Sequence, residues 1–362
     1  MGDRLDRLHE VLLVQCAPRD VAHALELADR PGTGLVVTTN RVEDVRGFAG
    51  LTDGRPLLVD AARYTGGQRL FAADEFDQRW LAAQRAAGLA VLTDSGYLGE
   101  GDEKGLLSVL HRAADLAAAR PGGDVVAMLA LHPWWLHPAG GLDRLLHHVA
   151  AVGVPVAVAL EHAKDPLGVG ATLHGMLALL GVGVPVVGLR GDVSALGLLA
   201  HGAWAAAVGT RTRLRHLYPM TRPGGGPPRT PSVATVVREL LAYVTVGKIL
   251  AAVQRNPDDS LWQPCSCRAC RARQLDWIAR LPDEETQQRA AFAHTLETLF
   301  DLRDDLLARP HRADRQVSWQ QHCSNALARY DQLLREDRQP WDRPPALRHW
   351  YALPVPTPAA PS

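Results

Sequence analysis

The chain has 362 residues, with 39 Lys and Arg against 39 Asp and Glu, so its formal net charge is zero. A balanced chain that is 47% apolar is neither a polybasic nucleic-acid binder nor an acidic disordered tail, and it is long enough for one large domain with an accessory piece, or two ordinary domains. No apolar run has the length of a membrane span, and the opening Met1-Gly2-Asp3-Arg4-Leu5-Asp6 lacks the order of a secretion signal. The expectation is a cytoplasmic protein with no membrane partner.

Along the chain, short apolar runs recur at Val11–Cys16, Leu35–Thr39, Leu57–Asp60, Ala90–Asp94, Val125–Leu131, Val154–Glu161, Val184–Leu189 and Ala203–Val208. Most are continuous rather than alternating, as in parallel strands buried on both faces. Helical patterns fill most gaps, at Arg19–Arg30, Phe76–Ala87, Leu106–Ala119, Leu142–Ala151, Thr172–Leu180 and Ser194–His201, each stopped by Gly or Pro. Eight strands alternating with helices predict an α/β fold of the (β/α)8 TIM-barrel class over residues 1–215. The competing open doubly wound sheet lacks a Gly-x-Gly-x-x-Gly after its first strand.

Chemistry in such a barrel belongs at the carboxyl ends of the strands. Those ends read Cys16, Thr38-Thr39-Asn40, Asp60, Asp94-Ser95-Gly96, His132, Glu161-His162, Arg190-Gly191-Asp192 and Gly209-Thr210-Arg211. Several of these residues would serve equally well as helix N-caps or rim histidines. Asp60 and Asp94, on neighbouring exits, form the candidate catalytic pair: one carboxylate accepts hydrogen bonds from a ligand while the other attacks or moves a proton. Ser95, Gly96, His132, Glu161, Arg190, Asp192 and Arg211 are the candidate substrate-binding residues. The seventh and eighth exits, rich in small residues and Arg, also suit phosphate.

Of five cysteines, three stand together in Cys265-Ser-Cys267-Arg-Ala-Cys270, while Cys16 and Cys323 are isolated. An odd count with one tight cluster argues for a metal site over a disulfide framework. Thiolates at this spacing reach one tetrahedral Zn2+ that needs a fourth ligand. His294, in a segment with helical pattern over Ala290–Leu306, is one candidate; His311, His322 and Cys323 are others, and an iron–sulfur cluster is the alternative cargo.

The C-x-C-x2-C run followed by His294-Thr-Leu-Glu-Thr-Leu-Phe-Asp-Leu resembles the zinc subdomain of the tRNA-guanine transglycosylases (queuine or archaeosine tRNA-ribosyltransferases), and Leu92-Thr-Asp94-Ser-Gly96 is similar to that family's base-recognition motif, with Tyr97 in place of its second Gly. Val187-Gly-Leu-Arg-Gly-Asp192 through Gly202-Ala-Trp-Ala-Ala-Ala-Val208 is similar to its seventh-to-eighth-strand stretch. The resemblance implies a (β/α)8 barrel with a C-terminal structural zinc held by Cys265, Cys267, Cys270 and His294. It further implies exchange of a guanine base for a 7-deazaguanine in nucleic acid, through a covalent link from an Asp to the ribose. The sequence departs from the pattern at the nucleophile, where only Ala205, Ala206 or Ala207 is available, and at the base-contacting Gln, for which Glu161 is the stand-in. Counted by strands, Asp60 matches the base-recognition Asp and Asp94 a second one; matched by motif, Asp94 takes the first role.

From Arg211 to Arg273 eleven basic residues face three acidic ones, an excess of eight that the rest of the chain must offset. This stretch is the expected contact for RNA or DNA. The domain reading is a barrel over 1–215, a Pro/Gly linker and basic helical segment over 216–260, a zinc-binding helical subdomain over 261–340 with a helical pattern at Gln316–Arg335, and a disordered Pro-rich tail over 341–362. Three functions follow: a pentosyltransferase-like enzyme or base reader with a purine or 7-deazapurine partner, a non-catalytic subunit that dimerises with itself or with another chain, and a barrel enzyme for a small phosphorylated metabolite.

Overall fold

The computed structural model describes residues 3–119, 124–220, 232–336 and 340–355, and these fall into two units that divide after Met220. In the first unit the apolar runs become parallel strands: β1 Val11–Cys16, β2 Thr33–Thr38, β3 Leu57–Asp60, β4 Val91–Leu92, β5 Tyr97–Leu98, β6 Val125–Leu131, β7 Val156–Leu160, β8 Val186–Gly191 and β9 Ala205–Gly209. They run in the order β3-β2-β1-β9-β8-β7-β6-β4, with β5 also on β6. The first strand pairs with the last, Val11 opposite Ala205 through Gln15 opposite Gly209. Among the described residues no ladder joins β3 to β4, so the sheet is a nearly closed barrel.

The fourth strand differs from its prediction. The run Ala90–Asp94 is strand only at Val91–Leu92, and β5 follows after the Thr93–Gly96 bend. The cause is a segment from upstream: Tyr97 N donates to Leu70 O at 2.7 Å and Ala72 N to Tyr97 O at 2.9 Å. A Cβ on Gly96 would meet Phe71 O at 2.3 Å, so only Gly permits this crossing. A helix at Asp44–Leu51 also forms without having been predicted.

Apolar side chains fill the barrel interior. Leu13, Val36, Leu58, Leu92, Met128, Ala157, Val187, Ala205 and Ala207 share one buried cluster with Leu5 and Leu8, which precede β1. The outer helices are amphipathic: Leu142–Val152 buries Leu142, Leu145 and Val149 and ends on the left-handed Gly153.

In the second unit, residues 232–255 carry more structure than a linker. Ala234–Val237 (β10) and Ala242–Thr245 (β11) pair antiparallel, and a helix, Val246–Arg255, follows. The predicted Pro/Gly loop, 223–231, lies outside the described residues. Two long helices, Glu284–Leu307 and Arg312–Glu336, cover the two predicted helical segments. The expected disordered tail contains a helix at Pro345–Tyr351, whose fully buried Trp350 meets Trp319 edge to face at 6.1 Å, while Gln320 donates to Leu353 O at 2.7 Å. Indole burial outweighs the local Pro content. Residues 356–362 lie outside the description.

Candidate metal centre and strand-exit sites

The cysteine knuckle is a tight hairpin. Cys265 N donates to Arg273 O and Ala272 N to Cys265 O, and Arg271 and Ala272 adopt left-handed backbone with φ of 52° and 59° to turn the chain. His294 reaches it from the helix Glu284–Leu307, which is N-capped by Asp283. Its Nδ1 lies 3.7, 3.4 and 3.3 Å from the sulfurs of Cys265, Cys267 and Cys270, and all four donor atoms fall within 4.8 Å of one another. A tetrahedral ion with bonds of about 2.3 Å to sulfur and 2.0 Å to nitrogen sets sulfur–nitrogen separations near 3.5 Å. The group can hold a metal ion, with spacings consistent with structural zinc. His294 Nε2 donates to Val236 O at 3.0 Å, which turns the Nδ1 lone pair to the sulfurs. Burial alone would push this imidazole's pKa down, but the facing Cys265 and Cys267 outweigh it and raise it to about 9, so protons compete for the metal's place. His311, His322 and Cys323 are outside the group.

At the strand exits, polar residues meet partners instead of solvent. Asp60 is 1% exposed. Its Oδ2 accepts from Gln15 Nε2 at 3.0 Å and Tyr64 OH at 2.8 Å, with Arg190 Nη2 at 3.4 Å, and its Oδ1 accepts from Ala62 N at 2.8 Å. Arg190, itself buried, donates from Nε to the Tyr64 hydroxyl and from Nη1 to Arg213 O. Both oxygens of Asp60 are therefore engaged, and Arg190 is a structural counter-ion before it is a substrate ligand. Gln15 holds this cluster together, donating to Asp60 and accepting from Arg190 N at 2.7 Å. Its sequence signal was a polar residue inside the apolar run Val11–Cys16.

Asp94 is likewise buried, paired with Arg63 and accepting from Asp77 N. Ser95 bonds Thr93 at 2.7 Å, and Gly96 lies under Phe71. Asp60 and Asp94 thus belong to separate hydrogen-bonded groups and do not share an open site. Glu161 is different in kind. It accepts from Arg69 Nη1 at 2.7 Å and Tyr97 OH at 2.5 Å, and the Arg69 guanidinium lies 3.5 Å over the Tyr97 ring. Arg69 Nε is buried with no hydrogen-bond partner. Neither Arg69 nor Tyr64 carries a sequence signal for these roles.

The remaining exits are mostly capped. His132 accepts from Trp134 N, and Asp192 from Val193 N at 2.7 Å. Arg211 forms a two-pronged pair with Asp20, both contacts at 2.9 Å. Burial pushes the Cys16 thiol up to about 12, so it is an inert core group. Asp165, beyond the β7 exit, is raised to about 7 by burial and by Asp192. A cavity of about 530 Å³ opens beside these groups, lined by Thr38, Thr39, Asn40, Arg190, Arg213, His216 and Tyr218 among others.

Several positive charges of the 211–273 stretch are also matched: Arg211 by Asp20, Arg238 by Asp305, and Arg268 by the buried Glu297. Arg222 and Arg229 lie outside the described residues. Among the described residues no helix is long and apolar enough to cross a membrane. A comparison of the sequence with known families and curated proteins gives no match.

Proposed function

We propose that the chain is a divergent transglycosylase-like (β/α)8 barrel that reads a guanine-type base in RNA or DNA but does not carry out the family's Asp-dependent exchange. The observation that carries this reading is the placement of Arg69. Guanine offers two in-plane N–H donors on one edge of a flat ring, and a site for it needs a carboxylate at that edge and an aromatic face beneath. Arg69 presents the same features, a planar cation stacked on Tyr97 with an N–H donated to the Glu161 carboxylate. Its buried Nε has no acceptor, which makes it an imperfect and displaceable occupant.

The last barrel strand, β9, supports reading without exchange. Ala205, Ala206 and Ala207 are fully buried and carry no group able to attack a ribose. Asp60 and Asp94, with their oxygens engaged, then shape the mouth rather than act as nucleophiles. Cys265, Cys267, Cys270 and His294 would hold Zn2+ with all four positions filled by protein, so the ion's role is to brace the subdomain. A non-catalytic subunit in a dimer fits the same features.

Two measurements test this. Labelled guanine should not enter RNA or DNA in the presence of the protein. Arg69→Ala should tighten binding of guanine-containing single strands about tenfold, and Glu161→Gln should weaken it, because one frees the base position and the other removes its acceptor. Incorporated label would refute the absence of exchange; unchanged binding in both variants would refute the base position.

A further inference from the structure

A divalent ion held by three thiolates and one neutral imidazole leaves its centre with one net negative charge. Each bound sulfur also keeps lone pairs that water or an N–H has to meet. Cys270 is fully buried and Cys267 is 9% exposed, so solvent serves neither well. Donors from the chain reach these two. Cys270 N donates to Cys267 Sγ at 3.3 Å, and Trp277 Nε1 donates to Cys270 Sγ at 3.4 Å. Cys265, the remaining thiol, is only half-buried and lies nearer to solvent.

Trp277 stands in the one-turn helix Leu275–Ile278 and packs on the buried cluster of Val233, Val246, Ile278 and Ala291. An indole nitrogen donates and cannot accept, so the ring offers the sulfur one N–H and nothing that competes with the metal. Arg273 covers the indole face, its guanidinium carbon 3.5 Å from the ring centroid. It is held there from the knuckle: Cys270 O accepts from its Nε at 2.8 Å and Ala269 O from its Nη2 at 3.1 Å. A cation on the face of an indole draws density from the ring and makes its N–H the better donor. Arg273 closes the basic stretch read as a nucleic-acid contact, yet both of these hydrogen bonds run back into the knuckle.

We infer that Trp277 and Arg273 are positioning residues of the metal centre, the indole N–H and the guanidinium stacked on it offsetting the charge of the Cys270 thiolate and keeping that sulfur in the ligand set. This extends the four-ligand reading of Cys265, Cys267, Cys270 and His294 and rests on it. Outer partners of this kind orient a ligand and tune how much charge it passes to the ion.

Cobalt(II) substitution of the full chain tests this, because a cobalt-bound thiolate absorbs in the near ultraviolet by sulfur-to-metal charge transfer. A hydrogen bond lowers the energy of the sulfur lone pair, so its loss moves that band to longer wavelength. Trp277→Phe keeps a ring in the cluster and a face for Arg273 but has no N–H. Its band should move to longer wavelength, and its Zn2+ affinity against a chromophoric chelator should fall about tenfold. Arg273→Gln, at an exposed position, should move the band the same way by less. Arg271→Gln, which takes the same charge from the same exposed hairpin, should leave it in place. An unmoved band in Trp277→Phe, or equal movement in Arg271→Gln and Arg273→Gln, overturns the proposal and leaves the indole a packing group. If Trp277→Phe does not fold, an unmoved band in Arg273→Gln overturns it. A wild type with no cobalt charge-transfer band refutes the four-ligand reading itself, and the proposal with it.

Discussion

The metal group and the strand exits are both clusters of ionisable residues, yet they are assembled in opposite ways. Cys265, Cys267, Cys270 and His294 converge with their donor atoms on one another. At the exits, three acids meet a cation from elsewhere in the chain: Asp60 meets Arg190, Asp94 meets Arg63, and Glu161 meets Arg69. Like donors held together make sense only around a cation, whereas paired opposites are complete as they stand. Ionisable residues at a site thus signal chemistry when their partners are missing, and structure when they are present.

Removing the metal should give the largest effect. Cys270→Ala and His294→Ala are expected to lose about one equivalent of zinc by elemental analysis, and chelation of the wild type should do the same. Ligation of structural zinc contributes on the order of 10 kcal/mol in small domains, so the knuckle and its helix should lose cooperative thermal unfolding. Full zinc retention in His294→Ala would remove it from the ligand set. The next effect belongs to the exits. Arg190→Ala leaves Asp60 buried without its counter-ion and should cost about 3–5 kcal/mol in denaturant unfolding, because one charge of a buried pair is stranded. Asp60→Asn paired with Arg190→Met should recover part of the loss. A cost below about 1 kcal/mol would show the exits to be less closed than the metal group.

The same contrast explains what was legible in the sequence. Val11–Cys16, Leu57–Asp60 and Val125–Leu131 match strands residue for residue, since a buried parallel strand imprints a continuous apolar run. The three cysteines were legible because their spacing is local, whereas His294 stood among His311, His322 and Cys323 until the family resemblance singled it out. The split of the fourth strand was not, since its cause is a loop more than twenty residues upstream. The exit residues were correctly placed at the carboxyl ends, but their engagement was invisible. Tyr64 and Arg190 lie 126 residues apart, and nothing local marks them as partners. The basic excess of eight suffered the same way, because Asp20 and Asp305, which offset Arg211 and Arg238, lie outside the window in which it was counted.

The smallest expected effect is a pH slope, and it tests an exit group that pairing has not neutralised. Folded Asp165 keeps its proton up to about 7, against 3.8 in the ordinary carboxyl, because burial and Asp192 disfavour its charge. Between those values the folded chain binds more protons than the unfolded one at this site. The contribution is therefore whole below 3.8 and is lost as pH rises through about 7. Asp165→Asn keeps a side-chain oxygen to accept from Leu167 N, the bond that Asp165 makes at 3.0 Å, but cannot ionise. The side chain is only partly shielded from water, so the variant should gain on the order of 2 kcal/mol over the wild type at pH 8 and nothing at pH 4. His216 slopes the other way, its contribution present above 6.5 and lost as pH falls towards 4, and it remains in both proteins, so the difference between them isolates Asp165. Parallel stability profiles from pH 4 to 8 would mean that Asp165 is ionised throughout. The β7 and β8 exits would then be as fully compensated as the Asp60 cluster.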